Sequence, residues 1–380
     1  MKLFEFEGNR IFRNEGIPVP DFALASTPEE AASRAQEMGL PVMVKAQVLT
    51  GGRWLAGGVV LADNLDKVRD EADRILGMKI SGFPVKQVMI APKVDSVREF
   101  YAGVTIDEYR GNPLVILSAE GGVSINQIAA NRPESVVTRP VAISEGLLPS
   151  MAKQMCHEVG LRGKELTKVA TILVSLYSVF RKYDALVAEI NPLVQTLSGE
   201  FIALDAKIEI DDSSLFRHAD LNLSIESRIT NPLELKGKQI GVTYVELDGD
   251  VAVIASGAGL GMASVDIINQ KLKPANFLET GGAITADLMY KVMDLVLQKK
   301  GVRAVFINVY GGINPIHEGA KGVVKYIQEH NVTIPIVAKA LGNHQEETWE
   351  IFRSAGVHVV TDVATETAVE KLVEVLEGKA

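Results

Sequence analysis

The chain has 380 residues, a formal net charge of −9 and a single cysteine, Cys156. This length exceeds what one hydrophobic core usually serves, so we expect two or three domains. The acidic balance argues against nucleic acid as a partner, and one cysteine cannot form an intrachain disulfide. The N-terminal segment carries charges where a signal peptide needs apolar residues, and no apolar window is long enough to span a bilayer. We therefore expect a cytoplasmic protein without a membrane segment.

A strand followed by a glycine-rich loop is the first pattern with chemical meaning. Residues 42–48 alternate as a strand with Lys45 outside the apolar set, and residues 50–58 form the loop. A strand lysine beside a flexible glycine-rich loop can hold the phosphates of a nucleotide. A surface lysine before a glycine turn is also common, so this pair alone leaves both interpretations open.

Residues 186–208 predict a β-hairpin with two chemically distinct faces. If the turn has three residues with Gly199 in the left-handed conformation, Thr196 pairs with Glu200. Even-numbered positions then form one face and odd-numbered positions the other. The predicted apolar face consists of Leu186, Ala188, Ile190, Val194, Ile202, Leu204, Ala206 and Ile208.

The opposite face of this hairpin is polar. The predicted register places Asn191 opposite Asp205, and Glu189 opposite Lys207. Directly opposed Cβ atoms lie roughly 5 Å apart, so the amide and the carboxylate can share one small hard cation. The face therefore predicts a magnesium site, and the alternative is a solvated sheet face with an ion pair between Glu189 and Lys207.

A polar stretch separates two segments that differ in the periodicity of their apolar residues. We place the boundary near Asn231 to Lys238, which gives a first domain over residues 1–230 and a second over residues 238–380. In the second segment short apolar runs alternate with helical periods, the βαβα pattern of an open parallel sheet with helices on both faces. The predicted pairs are a strand over 251–255 with a helix from about Gly261, 302–309 with a helix from His317, 334–340 with a helix from Gln345, and 358–360 with a helix from Thr365.

Three glycine-rich turns fall at the predicted carboxyl ends of strands, at 256–259, 280–282 and 311–314. Ligands of open α/β sheets bind at that edge, where free amides and helix N-termini favour anions. One such turn is often a plain cap, whereas three together favour an anionic ligand. The six histidines show no metal-ligand spacing, and His317, which follows a glycine-rich turn, is the one we consider for ligand contact.

The order of several short motifs resembles that of the β subunit of succinyl-CoA synthetase (succinate–CoA ligase, ADP-forming). The resemblance covers essentially the whole chain, and the combination is specific although no single motif is. The motifs are Val44-Lys45-Ala46-Gln47-Val48, Gly51-Gly52-Arg53, Glu120-Gly121-Gly122-Val123, Glu189-Ile190-Asn191-Pro192-Leu193, Leu204-Asp205-Ala206-Lys207, Leu215-Phe216-Arg217, Gly257-Ala258-Gly259-Leu260, Pro274-Ala275-Asn276-Phe277-Leu278 and Gly311-Gly312-Ile313.

The resemblance implies an α/β fold with an N-terminal ATP-grasp nucleotide-binding domain, followed by a flavodoxin-like CoA-ligase domain with a doubly wound parallel sheet. It also implies site residues by position. Those for the nucleotide are Lys45, Gly52, Arg53 and Glu99; those for Mg²⁺ are Asn191 and Asp205; Glu189 is the catalytic residue that orients a phosphohistidine; and those for the carboxylate substrate are Ser256, Gly311, Gly312, Ile313 and Asn314.

The same resemblance implies a partner and a reaction. An α subunit would carry the CoA site and the transiently phosphorylated histidine, in an αβ or α2β2 hetero-oligomer. The reaction is carboxylate, CoA and Mg²⁺-ATP giving acyl-CoA, ADP and phosphate, as in the tricarboxylic acid cycle. Phosphorylation gives the carboxylate a leaving group that the CoA thiol displaces.

Several residues depart from the family pattern. In the nucleotide half, Trp54 and Leu55 stand where the family continues Gly-Lys, and Ala91 replaces an acidic residue of the adenine-binding hinge. These departures motivate a second hypothesis, a non-catalytic nucleotide-binding scaffold subunit. The retained polar hairpin face argues against it. A third hypothesis, an amide ligase that acts alone, leaves the C-terminal half unexplained.

The substrate half departs as well. Ser256 stands where asparagine is typical, Asn314 replaces valine, and Leu341 replaces an acidic residue. An amide at position 314 can hydrogen-bond a substrate hydroxyl, as in the similar malate–CoA ligases, so malate, citrate or another hydroxylated or branched acid is an alternative to succinate, the leading candidate. The other interpretation is that Asn314 caps the following turn.

Overall fold

The structure, a computed structural model, describes residues 1–282 and 284–378. The chain divides into two compact units, Met1–Leu223 and Ser224–Ala380. This division falls earlier in the chain than the boundary expected near Asn231 to Lys238, a stretch that the helix Pro232–Ile240 largely covers. Within the described residues, no helix combines the length and the apolar character needed to cross a membrane.

The N-terminal unit is built mainly from antiparallel strands and six α-helices within its described residues. The helices are α1 (Glu5–Asn14), α2 (Pro28–Met38), α3 (Leu65–Leu76), α4 (Ile125–Asn131), α5 (Pro149–Glu158) and α6 (Gly163–Lys182). The strands are β1 (Ala23–Ala25), β2 (Val42–Ala46), β3 (Val59–Ala62), β4 (Lys79–Ile80), β5 (Phe83–Pro84), β6 (Val88–Pro92), β7 (Ser96–Asp107), β8 (Asn112–Ser118), β9 (Val136–Pro140), β10 (Ala185–Thr196), β11 (Phe201–Ala203) and β12 (Lys207–Ile210). Short 3₁₀ helices cover Pro133–Ser135, Asp212–Arg217 and Ala219–Leu221.

Two larger sheets organise this unit. The first has the order β1-β6-β2-β3, and the second has the order β11-β10-β7-β8-β9 with β12 also paired to β10. Helices α2 and α3 bury alanines and aliphatic residues in the core of the first sheet. Helix α6 buries Val169, Leu173, Leu176 and Phe180 in the core of the second sheet. Their spacing of three and four residues is the apolar stripe expected of a helix that packs on a sheet.

The hairpin register is as predicted. Glu189 of β10 lies opposite Lys207 of β12, and the Thr196 amide donates to the Glu200 carbonyl at 2.9 Å. Gly199 has a φ of 75°, the left-handed conformation that the three-residue turn requires. The turn chemistry and the alternation were therefore enough to fix which residues face each other.

The predicted sorting of the two hairpin faces is only partly right. Ala188, Ile190, Val194, Ala206 and Ile208 are buried as predicted, but farther along β10 the core cluster takes Leu193. Between Ile190 and Leu193 the pairing with β7 shifts by one residue. One extra residue moves the core-facing set from even to odd positions. The even-numbered positions outside the fully buried set are Leu186, Ile202 and Leu204.

The C-terminal unit is an open sheet with helices. Its helices are α7 (Pro232–Ile240), α8 (Ala258–Asn269), α9 (Ala286–Leu297), α10 (Ile316–His330), α11 (Gln345–Ser354) and α12 (Thr365–Leu376). Its strands are β13 (Thr243–Glu246), β14 (Val251–Ala255), β15 (Asn276–Glu279), β16 (Ala304–Gly311), β17 (Ile336–Gly342) and β18 (His358–Val360). The four strand and helix pairs predicted from the sequence are present, whereas helices α7 and α9 and the edge strand β13 were not predicted.

The strand order in this unit is β13-β15-β14-β16-β17-β18, with β13 antiparallel to β15 and the other neighbours parallel. Without β13 this is the flavodoxin-like order 2-1-3-4-5. Alternate residues of β14 pack into two separate cores, Ala252 and Ile254 into one, Val251 and Val253 into the other. The sheet is therefore covered on both faces, and its order reverses beside β14, where such sheets bind ligands.

Candidate functional site

Two cations and two carboxylates form one network in the N-terminal unit. Lys45 Nζ donates to Glu5 Oε1 at 2.9 Å and to the Leu204 carbonyl at 2.7 Å. Arg53 donates from Nη1 to Glu5 Oε2 at 2.5 Å and from Nη2 to Asp205 Oδ1 at 2.8 Å. A third Arg53 bond, to the Ala46 carbonyl at 3.0 Å, ties the glycine-rich loop to β2. The structure thus brings three predicted site residues together through Glu5, which was not predicted.

The network keeps Glu5 and Arg53 charged, whereas burial raises the pKa of Asp205 above its usual value despite the charge of Arg53. Burial by itself would raise the pKa of Glu5, but the charges of Arg53 and Lys45 outweigh it and hold this pKa below its usual value. Burial likewise opposes the charge on Arg53, yet the carboxylates of Asp205 and Glu5 hold its pKa above the usual value. Only 1% of the Glu5 side chain is exposed, against 38% for Asp205. A ligand can therefore reach Asp205, whereas Glu5 holds the two cations from the buried side of the network.

Asn191 lies against the loop that contains Gly121 and Gly122. Its Oδ1 accepts from the Gly122 amide at 2.8 Å, and its Nδ2 donates to the Val123 carbonyl at 3.0 Å. A Cβ on Gly121 would lie 2.5 Å from the Phe100 carbonyl oxygen, so only glycine allows this close approach. The loop thus fixes the orientation of the Asn191 carboxamide.

Glu99 belongs to the same region. It pairs with Val194 of β10, and a Cβ on Gly122 would collide with the Glu99 carboxylate. Gly52 has a φ of 73° and open space around it, in the loop that Arg53 closes over β2. Of the residues implied for the nucleotide, Lys45 and Arg53 thus belong to the charged network, Gly52 precedes Arg53 in its loop, and Glu99 lies against the loop of Gly121 and Gly122.

The Asn191 and Asp205 side chains fit a magnesium ion. The hairpin register, which is the same at Glu189–Lys207 and at Val194–Ile202, places Asn191 opposite Asp205. Mg²⁺ prefers oxygen ligands and usually takes one or two from protein, with water and phosphate completing its octahedron. One carboxylate and one carboxamide oxygen match that donor set. Asn191 Oδ1 keeps a second lone pair beyond its bond to Gly122.

Glu189 lies beside this pair with two polar neighbours. Lys207 Nζ donates to its Oε2 at 3.1 Å. Tyr101 also hydrogen-bonds to Glu189; burial, and then this carboxylate, raise the pKa of Tyr101 above its usual value. Because a neutral phenol can donate a hydrogen bond, Tyr101 and Lys207 together hold the Glu189 carboxylate in place.

The positions that depart from the family pattern make few contacts. Trp54 is 68% exposed and Leu55 is 91% exposed, so neither supports the loop from inside. Ala91 is buried in β6 opposite Met43 of β2. The structure therefore leaves the loop tip apolar and exposed, while Arg53 connects the loop to the charged network.

In the C-terminal unit the predicted substrate turns share one sheet edge. β15 and β16 both run parallel to β14, so the turns after these three strands meet there. Ser256 Oγ accepts from the Tyr310 amide at 2.8 Å, which links the turn after β14 to the end of β16. Gly311 has no room for a side chain, because a Cβ would lie 2.6 Å from the Asn314 carbonyl oxygen. A Cβ on Gly312 would meet Tyr310 at an ordinary 3.9 Å, and Ile313 is 91% exposed, so this part of the turn presents backbone to solvent.

Asn314 joins two of these turns. Its Nδ2 donates to the Gly282 carbonyl. Helix α10 begins at Ile316 with Pro315 as its N-cap and no side-chain cap. The interpretation of Asn314 as a cap of the following turn is therefore not what the structure shows, because the amide bonds across to the neighbouring turn instead.

Two contact residues were missed by sequence reasoning, Glu5 and Tyr101. For Glu5 a signal was available: α1 buries Glu5, Gly8, Asn9 and Phe12, the spacing of one helix face. A carboxylate on a buried face requires a buried cation. For Tyr101 no comparable signal exists, because its partner Glu189 comes from a strand far away in sequence.

Comparisons with known proteins agree with this architecture. Residues 2–195 match the ATP-grasp domain family, and residues 254–373 match the CoA-ligase family. The chain is 42% identical over 360 residues to the GDP-forming succinate–CoA ligase subunit beta of Thermus thermophilus, across 94% of this chain and 95% of that protein. It is 40% identical over 379 residues to the ADP-forming succinate–CoA ligase subunit beta of Methanothermobacter thermautotrophicus, across 100% of both.

Among solved structures, ATP citrate lyase from Methanothrix soehngenii in complex with citrate and coenzyme A is similar in fold. Its TM-score is 0.81 at 17% identity, across 98% of this chain and 99% of that one. The fold and the charged site thus define a class of protein in which an ATP-grasp domain is followed by an α/β CoA-ligase domain. The two family matches confirm the predicted fold class. Within that class, the chain belongs to the family of succinate–CoA ligase β subunits.

Proposed function

We propose that the chain is the nucleotide-binding subunit of an ADP-forming carboxylate–CoA ligase and works with an α subunit. The observation that carries this proposal is the network of Lys45, Arg53 and Asp205. Within it, Asp205 lies at the register position opposite Asn191. The network provides cations for phosphate and oxygen ligands for a metal in the unit that matches the ATP-grasp family. The α subunit follows from the relatives, which are named as β subunits.

In the proposed reaction, ATP phosphorylates a histidine of the α subunit and releases ADP. The phosphoryl group then passes to the substrate carboxylate. The thiol of CoA, which is bound by the α subunit, displaces the phosphate and forms the thioester. Lys45 and Arg53 would exchange a carboxylate partner for phosphate oxygens and stabilise the charge that develops there. Glu189 would accept a hydrogen bond from the imidazole N–H of that histidine and orient the ring.

Asn191 and Asp205 would hold a Mg²⁺ ion, which when bound would neutralise part of the phosphate charge. The remaining steps belong to residues of this chain. The loop amide of Gly122 fixes Asn191, and Arg53 fixes Asp205, so both oxygen donors are oriented before a ligand arrives. This preorganisation lowers the cost of ordering the site on binding.

The carboxylate would bind at the C-terminal sheet edge. The exposed backbone of Gly312 and Ile313 offers hydrogen-bond donors beside Ser256 and Gly311, and α8 begins after Gly257. Helix N-termini and free amides favour anionic groups, including a phosphorylated histidine. Succinate is the acid we propose first, since the relatives are succinate ligases.

The test is CoA-dependent ADP release by the chain reconstituted with its cognate α subunit, at fixed Mg²⁺-ATP, across succinate, malate and citrate. We expect turnover with succinate and none without the α subunit. A well-formed complex that turns over none of the acids would instead favour the non-catalytic scaffold. Replacing ATP by GTP in the same assay determines the base preference, because the relatives include both ADP-forming and GDP-forming enzymes.

The hydroxy-acid alternative rests on Asn314. Its Nδ2 bonds to the Gly282 carbonyl, so a substrate hydroxyl would use the Oδ1 atom or the second amide proton. If malate is the substrate, Asn314→Val should lower the malate-to-succinate ratio of kcat/KM by about tenfold or more, the effect of one lost hydrogen bond to a buried hydroxyl. If succinate is the substrate, the same variant should leave the ratio unchanged.

A further inference from the structure

Two histidines and a glutamate form a cluster in the C-terminal unit that the proposed reaction does not use. His317 lies in the first turn of α10, His344 is the N-cap of α11, and Glu347 lies in the first turn of α11. Each offers one ligand atom, and these atoms all lie within 4.8 Å of one another. Sequence spacing gave no sign of this cluster, because its members come from two different helices.

The contacts within the cluster are direct. His344 Nδ1 lies 3.2 Å from Glu347 Oε2, and His317 Nε2 lies 3.9 Å from Glu347 Oε1. The two imidazole rings are 4.5 Å apart between centroids. Among the described residues, the ion pairs of Glu347 are those with the two histidines, so both of its oxygens face imidazole nitrogen. Three donor groups thus converge on one point from two helix starts.

The surroundings leave this point accessible to an ion. His317 is 13% exposed, whereas His344 and Glu347 are each about half exposed. The Nδ1 atom of His317 is buried and has no hydrogen-bond partner among the described residues. Metal binding at Nε2 would therefore sacrifice no hydrogen bond at the other ring nitrogen.

One neighbour competes for His317. Glu318 Oε1 lies 3.1 Å from His317 Nε2, but it also forms an ion pair with Lys321 at 2.6 Å. Lys321 therefore offsets the Glu318 charge at contact distance, and it interacts with the charge of Glu347 from farther away. A cation at the cluster would take His317 from Glu318 and leave the Glu318 to Lys321 pair intact.

We propose that His317, His344 and Glu347 form a binding site for a divalent transition metal, with Zn²⁺ as the reference ion. Two imidazoles and one carboxylate with an open fourth position are a donor set typical of zinc, whereas Mg²⁺ prefers oxygen donors alone. Zinc–ligand bonds of roughly 2.1 Å bring ligand atoms to about 3.4 Å from one another. The half-exposed side chains of His344 and Glu347 can close the remaining distance by rotation.

The site would act on the turn beside it. Asn343, next to His344, donates from its backbone amide to the Gly311 carbonyl at 2.7 Å and from its side chain to the Ile313 carbonyl at 3.0 Å. A metal that joins the starts of α10 and α11 would hold this segment against the 311–314 turn. Metal occupancy would therefore order the turn proposed to receive the carboxylate.

The test measures Zn²⁺ affinity of the untagged full chain by competition with a chromogenic chelator, in excess Mg²⁺ so that the oxygen site of the N-terminal unit is not titrated. Glu347→Gln and His344→Gln should each weaken Zn²⁺ binding by about tenfold or more, since each removes one of three ligands. The matched controls are Glu346→Gln, which changes the neighbouring exposed glutamate of α11, and His157→Gln, which changes an exposed histidine of the N-terminal unit. Both should leave the affinity unchanged.

Co²⁺ absorption provides a readout that a structural role would not move. The wild-type chain should show the intense visible bands of tetrahedral Co²⁺, and these should be lost in Glu347→Gln while thermal unfolding stays as in Glu346→Gln. Equal Zn²⁺ affinity in the wild type and in both cluster variants would overturn the proposal, because Glu347 and His344 would then form only a helix cap. Equal loss in the Glu346→Gln control would overturn it as well.

Discussion

At the scale of single residues, Glu5 has the strongest influence on the charged network. It contacts both cations, and 1% of its side chain is exposed. Breaking a buried ion pair from one side leaves the partner charge uncompensated. Glu5 therefore sets the geometry of Lys45 and Arg53 when no phosphate is present. We expect its loss to lower the stability of the fold more directly than the rate of the reaction.

We expect Glu5→Gln to lower the free energy of unfolding by about 3 kcal/mol, the lower end for one-sided removal of a buried partner, because Asp205 still faces Arg53. Urea unfolding of the purified chain measures this. Glu29→Gln, at an exposed position of α2, is the control and should stay within about 0.5 kcal/mol of wild type. A loss no larger than the control would show that Glu5 does not hold the cations.

The same residue predicts a pH dependence. Arg53 and Lys45 hold the pKa of Glu5 below its usual value despite burial, so its ionised form stabilises the folded state. This contribution is complete above the ordinary glutamate pKa of about 4.3 and is lost as the pH falls through the lower folded-state pKa. The stability difference between wild type and Glu5→Gln should therefore shrink as urea unfolding is repeated below pH 4. A difference that grows on acidification would contradict the ion-pair assignment.

Asp205 gives the most direct test of the magnesium assignment. Asp205→Ala should abolish phosphorylation of the α subunit by Mg²⁺-ATP, because it removes the carboxylate opposite Asn191, and the α subunit should still assemble with the chain. Phosphohistidine formation and gel filtration measure the two properties separately. Asp70→Ala, exposed on α3, is the control and should keep full activity. Full phosphoryl transfer in the Asp205 variant would remove this residue from the site.

At the scale of elements, the loop against Asn191 depends on a glycine that tolerates no side chain. A Cβ on Gly121 would lie 2.5 Å from the Phe100 carbonyl oxygen, so the loop must move in Gly121→Ala. We expect Mg²⁺-ATP to bind about tenfold more weakly, because Gly122 then no longer orients the Asn191 carboxamide. Isothermal calorimetry measures the affinity. In Gly77→Ala the new Cβ meets its nearest neighbour at an ordinary 3.5 Å, so the affinity should not change.

The features of these elements that depend on local sequence could be predicted, and those that depend on distant contacts could not. The register of the hairpin follows from turn type and alternation, and the order of the C-terminal strands and helices follows from apolar periods. The switch from even to odd core positions after Ile190 could not be predicted, because it arises from pairing with β7, which is distant in sequence. Edge strand β13 was missed for a related reason: its four residues pair only with β15 and are partly exposed, so no strong apolar run marks them.

The site follows the same division. Asn191 and Asp205 were predicted because hairpin parity and motif resemblance both point to them. Lys45 and Arg53 were predicted from the strand with its glycine-rich loop and from the resemblance. Glu5 and the cluster of His317, His344 and Glu347 were not, because their meaning depends on contacts between elements that only the folded chain brings together.

At the scale of the whole molecule, the two compact units should respond to different ligands. Binding stabilises the state that binds by an amount that reaches about 2.7 kcal/mol at a ligand concentration of one hundred times Kd. Mg²⁺-ADP should therefore slow hydrogen exchange within Met1–Leu223, and Zn²⁺ should slow it around residues 316–347. Hydrogen exchange of the full chain read by mass spectrometry measures both. Protection by Mg²⁺-ADP confined to Ser224 and beyond would contradict the nucleotide assignment.

The pairing inside the charged network has a consequence for how fast a nucleotide arrives. Lys45 and Arg53 are matched by Glu5 and Asp205, and Lys207 is matched by Glu189, so the site as a whole presents little net positive charge to solvent. The chain carries a net charge of −9, which repels anions at long range. Electrostatic steering therefore cannot accelerate the encounter, and attraction begins only when phosphate displaces a carboxylate at contact distance. The association rate of the nucleotide should rise slightly, and not fall, when added salt screens that repulsion.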